Sequence, residues 1–272
     1  MKNYFEYNNG SDVIPSNAFR ISPSQLSKFF DSTSQWWREN LLGEAGFEGS
    51  TASELGTCVH AAAEMYFDTK SVDKAAILEY IDSITNPEVD KQVIREQIKP
   101  MIDTLVNGFL AQNLGTHAEM FAHTQIFPDI YAAGSIDMFD ERTGTVYDFK
   151  TMGSLDTARV PTKFPRNYWF QQATYGYILN QMGYKVNQLK LVYISRDNTG
   201  RYSEKTGKPL KDYPSECNII TTPYDDETHN MIEGILKLVA ESVKTWQTSP
   251  ELRHIIAQDW RLREKPKPKL FK

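Results

Sequence analysis

Cysteine is scarce in this sequence. The 272 residues include two cysteines, Cys58 and Cys217. A disulfide framework, a four-cysteine zinc site and a four-cysteine iron–sulfur site all require more thiols than this. We therefore expect two reduced thiols and no iron–sulfur cluster.

Long apolar runs are also missing. No stretch reaches the ~18 residues that a membrane-spanning helix needs, and the first residues, MKNYFE, lack the apolar core of a signal peptide. Hydrophobic residues make up 40% of the chain and charged residues 24%, which is typical of a soluble globular protein. The sequence predicts a protein without membrane contact in a cytoplasm-like compartment.

Charge is spread unevenly along the chain. The formal net charge is −5, which argues against a simple nucleic-acid coating protein. Residues 150–211, however, contain eleven basic and three acidic side chains. An acidic metal site beside a basic tract would produce this asymmetry, and so would chance clustering on a solvated surface.

The pattern of apolar residues changes character along the chain. Residues 1–20 lack periodicity and are predicted to be an irregular arm. Residues 21–115 are predicted to be mainly helical, with helix breaks at Asn86-Pro87 and near Pro100. Residues 116–247 combine strands with two further helices and form the α/β part, while 261–272 read as a flexible basic tail. No repeat or clear boundary divides these parts, so we expect a single domain.

A predicted hairpin carries the first candidate site. A four-residue loop at 141–144 places Asp137 opposite Asp148, and strand alternation places Asp148 and Lys150 on one face. Opposed carboxylates repel unless a cation neutralises them, and Mg²⁺ or Mn²⁺ prefers such oxygen ligands. The alternative is a surface hairpin in which Lys150 pairs with one carboxylate.

These three residues resemble the Asp…(D/E)-x-K signature of PD-(D/E)XK nucleases. Two further segments are similar to motifs of the RecB-like branch of that superfamily: 55–60 to its G-x-x-x-H helix and 171–175 to its Q-x-x-x-Y helix. The resemblance covers roughly residues 21–196. The chain has no cysteine before its Trp36-Trp37 pair and no Walker A sequence, so it resembles a stand-alone exonuclease of phage or mitochondrial type.

The resemblance implies a restriction-endonuclease-like α/β fold, in which a central mixed sheet is flanked by helices under an N-terminal helical cap. It also implies roles for individual residues. Lys150 is the expected catalytic lysine, with Gln171 and Tyr175 positioning it or the scissile phosphate. The expected metal-binding groups are His60, Asp137, Asp148, the Phe149 carbonyl, Glu119 and Glu64. Without the resemblance, His60 reads as a core histidine, and Gln171 and Tyr175 as parts of an amphipathic helix.

The expected activity is Mg²⁺- or Mn²⁺-dependent exonucleolytic hydrolysis of DNA in replication, recombination or repair. It would take place in the cytoplasm of a bacterial or phage-infected cell, with a replication or recombination protein as a further partner. The residues expected to contact DNA are Lys163, Arg166, Trp169 and Arg196, although core packing is the alternative for Trp169. Three other functions stay open: a structure-specific endonuclease using the same site, a catalytically silent DNA-binding protein, and an unrelated nucleotide phosphohydrolase.

Overall fold

The computed structural model describes residues 2–6, 10, 12–44, 49–153, 161–203, 206–209, 211–249 and 251–252. The predicted basic tail at 261–272 lies outside these residues. Within them, no helix combines the length and the apolar character required to cross a membrane.

Seven α-helices and six strands are described. The helices are α1 Leu26–Asp31, α2 Thr33–Leu41, α3 Thr51–Thr69, α4 Lys74–Ser83, α5 Lys91–Leu105, α6 Arg166–Gln181 and α7 Asp226–Thr248. The strands are β1 Phe19–Ile21, β2 His117–Phe127, β3 Ile130–Asp140, β4 Thr145–Met152, β5 Gln188–Ser195 and β6 Cys217–Pro223.

The six strands form one mixed sheet. Its order is β1-β3-β4-β5-β6, and β2 pairs with β3. The β1–β3 and β4–β5 pairs are parallel, whereas β2–β3, β3–β4 and β5–β6 are antiparallel. The β3–β4 hairpin pairs Asp140 with Thr145, as its four-residue loop predicts. The predicted mixed sheet flanked by helices is confirmed.

One edge of strand β3 is paired by different strands near its two ends, which leaves space for a site between them, and we call it the divided edge. Strand β2 follows almost the whole of one edge of β3. Strand β1 pairs with residues 130–132 and β4 with 138–140, so both must lie along the opposite edge. Within the described part of the chain, the segment 133–137 between them has no paired strand on that edge, and Asp137 ends this opening.

Helices cover both faces of the sheet. On one face, Val146 joins a core with α1, α6 and α7 that includes Phe29, Ile178 and Leu236. On the other face, Phe149 joins a core with α3 and α5 that includes Leu55, Val59 and Met101. Because neighbouring residues of a strand point to opposite faces, β4 contributes to both cores. Burial of each such large apolar side chain contributes ~1.5–3 kcal/mol.

Two sequence-based expectations are wrong. Residues 19 and 20 belong to β1 rather than to an irregular arm; a three-residue strand is too short to show alternation, and only its parallel pairing with β3 defines it. Helix α5 also continues through Pro100. The proline removes one backbone hydrogen bond, but burial of Ile98 and Met101 on either side holds the helix together.

Candidate active site

A cleft of about 960 Å³ lies at the divided edge of β3. Its walls come from α3, the start of β2, the middle of β3, the end of β4 and helix α6. Residues predicted from sequence that line it are His60, Glu64, Glu119, Asp137, Lys150, Gln171 and Tyr175. The fold therefore brings together side chains that are separated by more than one hundred positions in sequence.

Three of these side chains form a compact cluster of donor atoms. His60, Glu119 and Asp137 each offer one atom, and the three atoms lie within 4.8 Å of one another. His60 Nδ1 is 3.4 Å from Asp137 Oδ1 and 3.8 Å from Glu119 Oε1. On the other side of the ring, His60 Nε2–H donates to the Phe149 carbonyl oxygen at 3.0 Å. This bond fixes the ring orientation and directs Nδ1 at the two carboxylates.

Glu119 reaches the cluster through an unusual backbone conformation. Its φ is +44°, in the left-handed region that non-glycine residues rarely adopt. The pairs Ala118–Met138 and Met120–Ile136 on either side place Glu119 opposite Asp137 across the β2–β3 ladder. Strain of this kind costs of order 1–3 kcal/mol and concentrates at functional sites, and here it accompanies two facing carboxylates.

A second group lies next to the first on β4. Lys150 Nζ is 2.6 Å from Asp148 Oδ2, and Gln171 Nε2 donates to Asp148 Oδ1 at 3.0 Å. The two groups are joined through the backbone, because the Phe149 N–H donates to Asp137 Oδ2 at 2.6 Å. The Asp137 and Asp148 side chains thus lie next to the same peptide group, the one that joins Asp148 to Phe149, and the Lys150 side chain lies beside them.

The electrostatics of the first cluster keep a proton on His60. Burial alone lowers the pKa of His60, but the Asp137 and Glu119 carboxylates raise it well above its ordinary value. Burial opposes ionisation of Asp137, yet the charge and hydrogen bond of His60 and the charge of Lys150 lower the pKa of Asp137. For Glu119, burial and the neighbouring Asp137 raise the pKa despite His60.

In the second group, burial and neighbouring charges likewise shift the pKa values of Asp148 and Lys150. Burial raises the pKa of Asp148, and with the nearby Asp137 charge it reaches about 6 in spite of Lys150. Burial lowers the pKa of Lys150, but Asp148 and Asp137 more than compensate and raise it. In the absence of another cation, His60 and Lys150 supply the positive charge that balances the buried Asp148 and the half-buried Asp137 and Glu119.

These donors fit a divalent cation. A ring nitrogen and several carboxylate oxygens are ligands for such ions. A metal-ligating histidine usually donates its other ring N–H to a carbonyl or carboxylate, and the His60–Phe149 bond has this form. Asp148 Oδ2 is buried and contacts the Lys150 ammonium without an aligned hydrogen bond among the described residues, so a divalent cation would compete with Lys150 for this oxygen. The Phe149 carbonyl oxygen lies on the side of the His60 ring opposite Nδ1.

Other predicted site residues have different partners. Tyr175 lies close to the divided edge of β3, since a Cβ added at Gly134 would lie 2.9 Å from the Tyr175 hydroxyl oxygen. Glu64 Oε1 lies 2.7 Å from Lys2 Nζ, and Glu64 is not among the three clustered ligand residues of the described chain.

The four residues predicted to contact DNA are not among the described residues that line the cleft. Lys163 is exposed, whereas Arg166 is paired with Asp31 at 2.7 Å. Trp169 packs partly buried against the core, as its alternative reading proposed. Arg196 is half-buried, and its Nε has no hydrogen-bond partner among the described residues.

Several contacts near the site were not predicted from the sequence. The Tyr168 ring lies 5.0 Å from Lys150 Nζ, and Tyr193 is the β5 partner of Lys150. The N-terminal segment 2–6 lines the cleft. Tyr168 is next to Trp169 in sequence, which was a weak signal of a functional role. Tyr193 and segment 2–6 lie near the site only because of strand pairing and packing of the chain.

Comparison with known proteins identifies the family. The model of the PD-(D/E)XK nuclease superfamily matches residues 20–259. Among solved structures, the chain is similar to a provisionally assigned exonuclease from Eubacterium rectale, with 14% identity, a TM-score of 0.53, and 88% of this chain and 86% of that chain covered.

Two further structures are more distant. A phage-related exonuclease from Haemophilus somnus has 10% identity and a TM-score of 0.45, with 85% of this chain and 97% of that chain covered. An alkaline exonuclease from Laribacter hongkongensis has 11% identity and a TM-score of 0.41, with 89% and 95% covered. No sequence among the curated proteins matches. With the family model spanning nearly the whole chain, this protein belongs to the PD-(D/E)XK nuclease superfamily.

Proposed function

We propose that this nuclease is a DNA exonuclease of the RecB-like branch that depends on Mg²⁺ or Mn²⁺. The observation that carries the proposal is the donor cluster of His60, Glu119 and Asp137, joined through the Phe149 peptide to Asp148 and Lys150. The fold shared with the Eubacterium rectale protein, whose name is that of an exonuclease, supports the choice.

In this proposal His60 Nδ1 and carboxylate oxygens of Glu119, Asp137 and Asp148 would hold the cation. The Phe149 carbonyl accepts from His60 Nε2–H on the opposite side of the ring, so it would orient the ring for a cation on Nδ1 and would not share that cation. Such a cation stabilises charge on a phosphodiester and lowers the pKa of water. Glu64 stays outside this set and keeps the Lys2 ammonium beside the cleft.

The remaining residues position the reacting groups. Lys150 lies beside Asp148 in the cleft, from where its ammonium can donate to the phosphate oxygen that gains negative charge. Gln171 fixes the Asp148 carboxylate through its hydrogen bond, and Tyr175, four residues later on α6, also lines the cleft. In the reaction, a bond forms between water oxygen and phosphorus while the phosphorus–oxygen ester bond breaks, leaving a phosphate monoester and a hydroxyl end.

In this proposal the DNA path extends from the cleft toward basic residues near the start of α6 and the end of β5. Lys163, three residues before α6, is exposed, and Arg166, the first residue of α6, is exposed and would exchange its Asp31 pair for a phosphate. The half-buried Arg196 would contact a phosphate through its terminal nitrogens, since its Nε is buried and lacks a hydrogen-bond partner among the described residues. Trp169 is half-buried and would offer one edge to an unpaired base. Since DNA is the substrate, we place the activity in the cytoplasm of a bacterial or phage-infected cell, alongside replication or recombination proteins.

The test compares three DNA substrates with three metal conditions. Purified protein is incubated with linear single-stranded, linear duplex and circular DNA, in Mg²⁺, Mn²⁺ or EDTA. Lys150→Ala is the active-site variant, and Lys190→Ala is its matched control, because Lys190 lies on the adjacent strand over the Tyr147 ring.

We expect metal-dependent loss of linear DNA but not of circular DNA. This activity should be abolished in Lys150→Ala and should persist in Lys190→Ala. Cleavage of circles by the wild-type protein would replace the exonuclease with an endonuclease on the same site. DNA binding without any cleavage would overturn the proposed activity.

A further inference from the structure

Among the described residues, Lys150 forms one ion pair with a carboxylate, and the proposed function needs that carboxylate elsewhere. Its Nζ lies 2.6 Å from Asp148 Oδ2, while Asp148 Oδ1 accepts from Gln171. Both oxygens of Asp148 are therefore engaged by side chains of the chain itself. Once Asp148 serves a divalent cation, the ammonium loses part or all of this contact.

An ammonium in this position cannot simply be left unpaired. The Lys150 side chain is 19% exposed, so water supplies only part of the solvation that a free ammonium has. A buried charge without a partner is strongly unfavourable. The site must therefore offer Lys150 other electron-rich groups within reach of its present position.

Tyr168 provides one such group. Its ring centroid lies 5.0 Å from Lys150 Nζ, within the distance at which a cation is attracted to the face of an aromatic ring. Tyr168 is in the first turn of α6, one turn before Gln171. The same helix thus presents the ring to Lys150 and the amide to Asp148.

Tyr193 provides the second group. It is the β5 partner of Lys150 in the parallel β4–β5 ladder, and it is 5% exposed. Its hydroxyl is buried and has no hydrogen-bond partner among the described residues. Asn218, its partner on β6, does not satisfy it, because the Asn218 amide nitrogen is also unpartnered within the described chain.

A buried hydroxyl without a partner is costly, and native structures rarely keep one without a use. Burial raises the pKa of Tyr193 to about 12, aided by the nearby Tyr168 and Asp148 and opposed by the Lys150 charge, which agrees with a neutral hydroxyl close to these groups. A neutral phenol oxygen can accept a hydrogen bond from an ammonium. The hydroxyl is therefore suited to receive Lys150.

We propose that Tyr168 and Tyr193 are positioning residues that hold the Lys150 ammonium when Asp148 engages a divalent cation. The inference rests on the proposed function, since it assigns Asp148 to that cation. Tyr193 accepts one N–H of the ammonium, the Tyr168 ring faces it, and a remaining N–H points into the cleft toward substrate phosphate.

The test uses Mn²⁺ alone as the probe, in the absence of DNA. Tyr193→Phe removes the hydroxyl and keeps the ring, and Tyr147→Phe is the matched control, because Tyr147 is equally buried on β4 but faces the opposite core. We expect Tyr193→Phe to weaken Mn²⁺ binding by 3- to 10-fold without lowering the metal-free melting temperature. On DNA, kcat should fall at least tenfold with KM nearly unchanged.

A purely structural role for Tyr193 predicts a different outcome: Mn²⁺ affinity and kcat would equal those of Tyr147→Phe, and that result overturns the proposal. Tyr168 gives an independent check, because Tyr168→Phe should retain Mn²⁺ affinity through its ring whereas Tyr168→Leu should lose it. Equal affinities in these two variants also contradict the proposal.

The Mn²⁺ measurement separates this inference from the proposed activity. A wild-type chain that binds Mn²⁺, responds to the tyrosine substitutions as expected, but cleaves no DNA would overturn the exonuclease and leave the tyrosine roles intact. A wild-type chain that binds no Mn²⁺ would overturn both.

Discussion

Adding one methyl group at Gly134 tests how closely Tyr175 approaches the open edge of β3. A Cβ at this position would lie 2.9 Å from the Tyr175 hydroxyl oxygen and 3.2 Å from both Tyr175 Cε1 and Pro23 Cδ. Because the three contacts belong to a buried ring and a proline, neither neighbour can move aside cheaply. Gly134→Ala should therefore displace Tyr175 or open the cleft.

The expected size follows from overpacking of a close-packed region. An inserted methyl group typically costs ~1–3 kcal/mol. For a domain somewhat smaller than this chain, each kcal/mol lowers the melting temperature by ~2–4 °C, so Gly134→Ala should melt roughly 2–12 °C below wild type. Displacement of a positioning group by ~1 Å should reduce kcat on the order of 10- to 100-fold.

Thermal unfolding and DNA cleavage of matched variants provide the assay. Gly234→Ala is the control, because beyond the neighbouring backbone of its own helix no described atom lies within 4 Å of its added Cβ and alanine favours the α7 helix by up to ~1 kcal/mol. The double variant Gly134→Ala/Tyr175→Phe lacks the hydroxyl contact and should recover part of the lost stability. Wild-type melting temperature and kcat in Gly134→Ala would refute the close approach.

Three further predictions concern metal binding, helix stability and DNA binding. The pKa of His60 is raised in the metal-free protein. The protonated His60 therefore stabilises the fold below the pKa that histidine has in the unfolded chain, and this stabilisation is lost as the pH rises through the pKa of His60 in the folded protein. A cation that binds His60 must displace its proton. Mn²⁺ binding should therefore release protons near pH 7 and raise the melting temperature more as pH increases, and calorimetry that detects no proton release, or the same release from His60→Gln, would contradict this. Ser50 caps the helix that carries His60 through a reciprocal capping box, and Ser50→Ala should cost ~1 kcal/mol, which thermal unfolding would measure; an unchanged melting temperature would be inconsistent with that cap. If Lys163 and Arg166 contact phosphates, Lys163→Gln and Arg166→Gln should each reduce the slope of log binding constant against log salt by ~0.7–1, and a similar reduction in the exposed Arg142→Gln would argue against a localised DNA path.

Much of the site could be predicted because its central part is local. The four-residue loop at 141–144 and the two-residue period of strands place Asp137, Asp148 and Lys150 on neighbouring strand positions, and the observed hairpin register agrees. Helical spacing likewise places Gln171 and Tyr175 on one side of α6, and both line the cleft. These relations depend on turn length and backbone periodicity alone.

The division of roles around the hairpin could not be predicted in this way. Opposed carboxylates suggested one shared site, but Asp137 groups with His60 and Glu119, whereas Asp148 pairs with Lys150 and Gln171. The side chain of Asp137 takes the Phe149 N–H that an uninterrupted hairpin would use for pairing. This choice depends on how helices α3 and α6 dock on the two strands.

Three features depend on residues a few positions apart and could be predicted from the sequence: the alternation of the β3–β4 hairpin, the helical spacing around His60 and in α6, and the mixed α/β character. Three others depend on packing between distant segments: the positive φ that directs Glu119 toward Asp137, the ion pair of Lys2 with Glu64, and the position of Tyr193 next to Lys150. These contacts join segments distant in sequence, and their geometry depends on strand register and helix docking. A local pattern does not specify such geometry, since many dockings are compatible with the same periodicity.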